Sequence, residues 1–219
     1  MSSTLEPSSP LPRGRHKLSP EVVERHQRDR VVAAVAQVMA EHGYGGLTVE
    51  RVIALARISR TTFYGHFDNK REALIGSHEL IFRHFLGLLQ DACRAQVEWA
   101  DKVRAAIGVT LGFAKSEPAQ AQLLVAGLLI ADRALAGRTQ VSYDRLAELL
   151  GEGRGYSPLA AGLPETTERA LIGAIATILA RRLVSAEPEP FAGLHSQLTE
   201  FTLIPYLGRA EAAQVVGRG

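Results

Sequence analysis

Three basic residues stand at the starts of two consecutive predicted helices in the segment SRTTFYGHFDNKREAL, residues 59–74. Arg60 comes directly after Ser59, which is a good N-cap residue, and Lys70 and Arg71 begin the next helix. A helix N-terminus carries about half a positive charge, so each cation there costs about 0.3–1 kcal/mol. Three such cations within a dozen residues indicate that an anionic partner binds here.

The helices that position these cations are predicted from apolar spacing and capping residues. Apolar side chains recur at three- and four-residue intervals over residues 31–39, and Gly43 ends this first helix. Thr48 caps a short second helix, and the turn 57–59 leads into a third helix that Ser59 caps. A longer helix followed by two short helices that share a tight turn is the pattern of a helix-turn-helix. The sequence therefore predicts that the anionic partner is double-stranded DNA.

The residue types in the third helix fit contact with base edges. In a helix-turn-helix this helix enters the major groove, and its first residues meet the bases. We expect the guanidinium of Arg60 to reach O6 and N7 of a guanine, with the hydroxyls of Thr61 and Thr62 beside it. Lys70 and Arg71 fit a phosphate bound at a helix N-terminus.

Basic residues are concentrated in the N-terminal third of the chain. Residues 13–71 contain 11 Lys and Arg against 6 Asp and Glu, whereas the whole chain has a net charge of +2. This asymmetry favours a polyanionic partner for that region. Residues 1–20 are rich in Ser and Pro and are predicted to be a disordered tail. The basic group 13–17 within that tail is either a minor-groove arm or a solvated segment that aids solubility.

Residues 43–74, GYGGLTVERVIALARISRTTFYGHFDNKREAL, resemble the DNA-binding domain of the tetracycline-repressor (TetR) family of bacterial transcription regulators. The shared features are a Gly-Tyr at the end of the first helix, the Thr that opens the second, the Ala-x-x-Ser turn and the run Thr-Phe-Tyr-x-His-Phe before a Lys. The resemblance implies a homodimer whose all-helical C-terminal domain binds a small molecule and releases DNA. It also implies backbone contacts from Thr48, Tyr64, His66 and Lys70, and base contacts from Arg60, Thr61 and Thr62.

Several of these positions have a second interpretation. Most family members have Gly where this chain has Arg57, and a left-handed conformation costs a non-glycine residue about 1 kcal/mol or more. Either the turn differs slightly here, or Arg57 adds a phosphate contact beside that of Arg71. Tyr64 is either a phosphate contact or a core residue, and His66 is either a backbone contact or a structural residue.

The remainder of the chain is predicted to be helical, which makes the fold class all-α. Helices are expected at 100–116, 118–134, 139–150, 164–186 and 194–216, with an internal linker at 151–164, and alternating β-branched runs are missing. We divide the chain into a tail (1–20), a helix-turn-helix DNA-binding domain (21–68) and a helical effector-binding and dimerisation domain (69–219).

The middle helices carry bulky apolar residues that can wall a mostly apolar ligand pocket. We expect an apolar or aromatic effector with at most one charge, because few charged residues fall on the inward faces. The alternative is that most of these residues form ordinary core. The candidates are the polar residues His78, Tyr143 and Arg182 and the apolar residues Phe82, Phe85, Leu89, Trp99, Val103, Ile107, Leu124 and Leu128.

Two apolar helices at the C-terminus suit a four-helix dimer interface. One of them has small residues beside its apolar ones, which permits close approach. The alternative is that both helices bury these residues within one subunit. The candidate interface residues are Leu171, Ile175, Ile178, Leu179, Phe201 and Ile204.

Other classes of protein find little support in the sequence. The chain has no G-x-S-x-G, H-E-x-x-H or P-loop motif, so we expect no enzyme activity and no cofactor. The histidine spacing predicts no metal site, and Cys93 is the single cysteine. No apolar run can span a bilayer and no secretory signal is evident, so a cytoplasmic protein is expected. The alternative to a ligand-released repressor is a ligand-independent nucleoid or scaffold protein, which leaves the long apolar C-terminal part unexplained.

Overall fold

The structure, a computed structural model, describes residues 19–126, 133–185 and 191–217, and every regular element in these ranges is a helix. The predicted all-α fold class is confirmed. The helices are α1 (Pro20–Gly46), α2 (Val49–Ala56), α3 (Arg60–His66), α4 (Lys70–Arg94), α5 (Trp99–Ser116), α6 (Pro118–Ala126), α7 (Arg133–Gly151), a 3-10 helix (Glu152–Gly155), α8 (Pro158–Ala161), α9 (Thr167–Leu183), α10 (Leu194–Leu207) and α11 (Arg209–Gly217).

The chain divides into two compact units, one ending at Ile81 and the other beginning at Phe82. Helix α4 contributes its first half to one unit and its second half to the other. The first unit packs α1, α2 and α3 around a shared apolar core, in which Val31, Val35 and Phe63 are fully buried. Burial of several such side chains contributes about 1.5–3 kcal/mol each, so this core is what holds the short helices α2 and α3 in place.

Two glycines with positive φ interrupt helices. Gly43 has φ 62° and kinks α1 four residues before Leu47, close to the helix end predicted there. Gly208 has φ 77° and separates α10 from α11, so the single helix predicted at 194–216 is wrong. The apolar pattern continues across Gly208, and the break comes from a backbone conformation that glycine adopts without strain.

The segment predicted as a linker, 151–164, is instead folded and partly buried. It forms the 3-10 helix and α8, and Gly153 and Ala160 are buried. A Cβ atom at Gly153 would lie 2.1 Å from the Trp99 ring, so the ring can pack here only against glycine. The Ser157 hydroxyl accepts a hydrogen bond from the Ala160 amide and donates one to the Tyr206 carbonyl, which anchors α8 to α10.

A buried ion pair ties the same segment to α9 and α10. Glu168 is 5% exposed and accepts hydrogen bonds from Arg154 Nε (2.8 Å) and Nη2 (2.7 Å) and from the Tyr206 hydroxyl (2.9 Å). Arg154 Nη1 also donates to the Leu163 carbonyl at 2.8 Å. Burial alone would raise the pKa of Glu168, but the hydrogen bonds from Arg154, its own backbone and Tyr206 hold that pKa below its usual value. This network beside the Trp99 and Tyr206 rings, which lie 4.7 Å apart, was not predicted from the sequence.

Candidate nucleic-acid interface

The helix-turn-helix is set up by side-chain caps and one buried aromatic residue. Thr48 Oγ1 accepts a hydrogen bond from the Arg51 amide at 3.2 Å and caps α2, and Ser59 Oγ accepts one from the Thr62 amide at 2.9 Å and caps α3. Phe63 is fully buried on the inner side of α3, 6.1 Å from the Phe67 ring. Because Phe63 fixes the rotation of α3, the residues on the opposite side of this helix are presented to solvent.

The turn between α2 and α3 contains Arg57, at the position where the sequence analysis noted Arg in place of Gly. Arg57 lies in the left-handed region, with φ 51° and ψ 47°. On α1, Arg30 donates hydrogen bonds to the carbonyl of Ala56 and, at 2.9 Å, to that of Arg57. Burial and the neighbouring charge of Arg57 lower the pKa of Arg30. Arg30 satisfies two carbonyls at the end of α2 and thereby stabilises a turn that costs arginine about 1 kcal/mol. No local sequence pattern indicates this contact, because Arg30 lies 26 residues before Ala56.

The three predicted base-contact residues lie in the first turn of α3. The side chains of Arg60 and Thr61 are exposed, whereas Thr62 is half-buried and its hydroxyl lies 2.8 Å from that of Ser59. The guanidinium of Arg60 forms an ion pair with Glu50 at the start of α2. The first turn of α3 thus exposes the guanidinium of Arg60 and the hydroxyl of Thr61 to a binding partner.

The predicted backbone-contact residues are in different environments. Tyr64 is 46% exposed on α3. Lys70 is half-buried, and its Nζ donates to the Leu47 carbonyl at 3.0 Å and lies 5.5 Å from the Tyr44 ring centre. It therefore also joins the start of α4 to the end of α1. Thr48 is half-buried, whereas Arg57 and Arg71 are exposed.

His66, at the end of α3, has one buried ring nitrogen. Its Nδ1 is buried and has no hydrogen-bond partner among the residues that the structure describes. Burial, with a smaller contribution from the charge of Arg28, lowers the pKa of His66. The imidazole is therefore neutral at pH 7, and a phosphate contact would have to use its other nitrogen.

Asn69 is the N-cap of α4. Its Oδ1 accepts hydrogen bonds from the amides of Arg71 and Glu72, each at 3.0 Å. The Glu72 carboxylate in turn accepts a hydrogen bond from the Asp68 amide at 3.4 Å. These contacts fix the helix N-terminus beside which the cations Lys70 and Arg71 stand.

Comparison with known proteins relates the sequence of this region to a protein family. Residues 31–75 match the sequence model of the bacterial regulatory proteins of the tetR family. The N-terminal part of the chain therefore carries a DNA-binding domain of the tetR type. The match covers the second part of α1, all of α2 and α3 and the start of α4, which are the elements of the helix-turn-helix and its support, so this protein is a DNA-binding regulator.

Solved structures of similar fold include other bacterial regulators. The fatty acid degradation regulator FadR of Bacillus halodurans has 20% identity and a TM-score of 0.71 over 80% of this chain and 97% of its own. A TetR-like regulator of Rhodococcus sp. RHA1 has 22% identity and 0.69 over 85% and 97%. FadR of Bacillus subtilis in complex with stearoyl-CoA has 17% identity and 0.70 over 82% and 97%. At this identity the likeness concerns the fold alone. No relative is found among curated protein sequences.

In the parts of the chain that the structure describes, neither a metal site nor a membrane-spanning helix is found. No group of three or more His, Cys, Asp or Glu side chains is arranged to hold a metal ion. Within the same described ranges, no helix combines the length and the apolar character that crossing a bilayer requires.

The predicted effector residues fall into separate groups. In the second unit Phe85 packs on Phe113, a residue that the sequence analysis did not single out, with ring centres 5.3 Å apart. Trp99 and Val103 instead belong to the core that contains Tyr206. His78, Leu89 and Ile107 are also buried, Phe82, Leu124, Tyr143 and Arg182 are half-buried, and Leu128 lies outside the described residues.

Tyr143 on α7 is a polar candidate with a buried hydroxyl. Its hydroxyl is buried and has no hydrogen-bond partner among the described residues. Burial raises the pKa of Tyr143 to about 12, so the phenol is protonated and has a proton to donate. An unsatisfied buried hydroxyl costs about 1–3 kcal/mol, which a ligand with an acceptor atom would recover.

The predicted interface residues differ in how far the protomer buries them. Leu171, Ile175 and Leu179 on α9 are buried within the protomer, and Ile178 is half-buried. Phe201 on α10 is 43% exposed, and Ile204, three residues later, is half-buried. Phe201 is therefore the most exposed residue of this set.

Proposed function

We propose that this DNA-binding regulator is a cytoplasmic repressor of the TetR family that binds a palindromic operator as a homodimer and is released by a small, mostly apolar effector. The observation that carries the operator part is the exposed first turn of α3, where Arg60 and Thr61 face solvent on a helix that the buried Phe63 fixes. A two-fold dimer presents two such helices, so its operator has two related half-sites.

Selection of bound sequences from random double-stranded DNA tests this function directly. The expected result is a palindromic consensus whose half-sites are separated by about one helical turn. A regulator that binds without sequence preference would instead return no consensus, which is the outcome expected of a ligand-independent nucleoid or scaffold protein.

Replacing Arg60 with alanine separates base reading from backbone binding. If the guanidinium reads a guanine bidentately, this substitution costs about 1–3 kcal/mol on the selected operator and relaxes the preference at one position in each half-site. Lys70→Ala is expected to weaken binding to operator and random DNA alike and to reduce the salt slope by about one ion. Fluorescence anisotropy at several salt concentrations measures both quantities.

A melting curve for each variant controls for damage to the fold, since Lys70 also holds the Leu47 carbonyl. Equal losses on operator and random DNA for Arg60→Ala would contradict its role in base reading. A loss confined to the operator for Lys70→Ala would contradict the phosphate assignment.

The effector part of the proposal rests on the second unit. It contains the packed rings of Phe85 and Phe113 and, on α7, the buried hydroxyl of Tyr143, which has no hydrogen-bond partner among the described residues. Ligand sites of this kind are mostly apolar with few polar groups that fix orientation. The effector must bind the DNA-released conformation more tightly, by about tenfold for each 1.4 kcal/mol of coupling. A thermal-shift screen of apolar carboxylic acids and aromatic compounds, with the highly charged acyl-CoA esters as the contrasting class, followed by operator release, tests the effector class.

Tyr143→Phe is expected to weaken effector-dependent release by about tenfold, since the ligand loses one hydrogen bond of about 1–1.5 kcal/mol. The melting temperature without ligand should not fall, because the substitution removes a buried hydroxyl that has no hydrogen-bond partner among the described residues. Phe85→Ala should also impair release by changing the apolar wall. Titration of operator release with the best hit measures the effect.

The matched control for Tyr143→Phe is Val141→Ala, which changes a 66% exposed residue on the same helix and should leave release unaltered. Strongly polar hits would contradict the proposed effector class. Release that both Tyr143→Phe and Phe85→Ala leave unchanged would contradict this position of the site.

A further inference from the structure

An ion pair links the first turns of the two short helices in the DNA-binding unit. Glu50 follows the first residue of α2, and its Oε1 accepts a hydrogen bond from Nη2 of Arg60, the first residue of α3. The Glu50 side chain is 66% exposed and that of Arg60 is 58% exposed. The pair therefore lies on the surface of the unit and on the turn that is proposed to meet the bases.

The charge of Glu50 has two favourable neighbours. A hydrogen bond from its own backbone and, to a smaller extent, the hydrogen bond and charge of Arg60 lower the pKa of Glu50 against the effect of burial, so it is ionised at neutral pH. The carboxylate is placed well for the N-terminal dipole of α2, and it also offsets the unfavourable position of a guanidinium in the first turn of α3.

We propose that Glu50 is a specificity-determining residue, which holds the Arg60 guanidinium in place so that its remaining N–H groups can read a guanine edge. This inference rests on the proposed role of Arg60. A guanidinium has five N–H donors, and the contact with Glu50 uses one of them. The remaining donors suffice for the bidentate contact with O6 and N7.

Two physical effects of Glu50 act in the same direction. Holding an arginine side chain in one position before binding reduces the entropy lost when it contacts a base. The Glu50 carboxylate, next to the first turn of α3, also repels DNA phosphates. This repulsion weakens binding to sequences in which Arg60 has no guanine to contact. Both effects raise the ratio of operator affinity to random-DNA affinity.

A simpler role for Glu50 is that of an acidic residue in the first turn of α2, with no part in recognition. The two roles differ in one measurable respect. A residue that acts through Arg60 loses its influence on specificity when Arg60 is removed, whereas a residue that only stabilises α2 keeps its influence. A double-mutant cycle makes this distinction.

The experiment measures dissociation constants on the selected operator and on random DNA for the full chain and for Glu50→Ala, Glu50→Gln, Arg60→Ala and the double variant Glu50→Ala/Arg60→Ala. We expect Glu50→Ala to lower the specificity ratio by about fivefold to tenfold, with tighter binding to random DNA. Glu50→Gln, which keeps an acceptor for Arg60, should lower the ratio less. In the Arg60→Ala background, removal of Glu50 should change the ratio by less than about twofold.

Glu41→Gln is the control for a change of net charge, since Glu41 is an exposed acid of the same unit whose partners, Gln37 and His42, lie on α1. An unchanged ratio for Glu50→Ala would overturn the proposal, and so would an equal change with and without Arg60. In either case a loss of specificity in Arg60→Ala alone would leave the proposed function standing. If Arg60→Ala does not lower specificity, the proposed role of Arg60 fails instead.

Discussion

Replacing Glu168 with alanine is expected to lower the free energy of unfolding by about 3 kcal/mol. The substitution removes the acceptor of two Arg154 hydrogen bonds and of the Tyr206 hydroxyl. The value lies at the lower end of what the loss of one partner of a buried ion pair costs, because the Arg154 side chain is 32% exposed and regains some water. Trp99, the single tryptophan, lies 4.7 Å from Tyr206, so its fluorescence during urea unfolding reports on this region.

The contribution of Glu168 depends on pH with a definite sign. The hydrogen bonds from Arg154, its own backbone and Tyr206 outweigh the effect of burial and hold its folded-state pKa below the usual value. A group with a depressed folded pKa stabilises the fold above its unfolded pKa, near 4.3. That stabilisation is lost as the pH falls from there through the lower folded value. The difference in stability between the wild-type chain and Glu168→Ala should therefore shrink in this acidic window.

Glu165→Ala is the matched control, because Glu165 is an exposed acid in the same segment and precedes Glu168 by three residues. It should change the free energy of unfolding by less than about 0.5 kcal/mol. All measurements need one protein concentration, since the proposed dimerisation would add to the apparent stability. A similar loss in both variants would mean that the buried network contributes no more than an ordinary surface charge.

The helix-turn-helix could be predicted from the sequence because its determinants are local. The caps Thr48 and Ser59 stand next to the helices they begin, and the aromatic run around Phe63 has the spacing of one helical turn. Each determinant acts within about four residues of its own position, which is the range over which sequence patterns carry structural information.

The contacts that were missed join residues far apart in the chain. Arg154 and Glu168 are 14 residues apart, Glu168 and Tyr206 are 38 apart, and Lys70 is 23 residues from the Leu47 carbonyl that it binds. The periodicity of apolar residues does not specify which charged side chains from distant parts of the chain come into contact in the fold. The segment 151–164 looked like a linker for the same reason, since its glycines fit a loop as well as they fit close packing on Trp99.

Phe201→Glu is expected to convert a dimer into a monomer at micromolar concentration and to abolish tight binding to the full operator. In a two-fold interface every residue occurs twice, so one substitution removes two aromatic contacts. Loss of an aromatic anchor costs about 2 kcal/mol or more, which gives about 4 kcal/mol per dimer and roughly a thousandfold weaker association. Sedimentation velocity measures the assembly, and anisotropy with the full palindrome and with a single half-site measures DNA binding.

The fold of each protomer should survive this change, because Phe201 is 43% exposed and contributes little to the core. Val97→Glu is the control, since it places the same charge at an apolar residue that is 88% exposed and lies outside α9 and α10. It should leave both the dimer and operator binding intact. Weak binding of Phe201→Glu to the full palindrome, close to its binding to one half-site, would follow from a monomer with a working recognition helix. A dimer that persists in Phe201→Glu would show that the protomers associate through another surface.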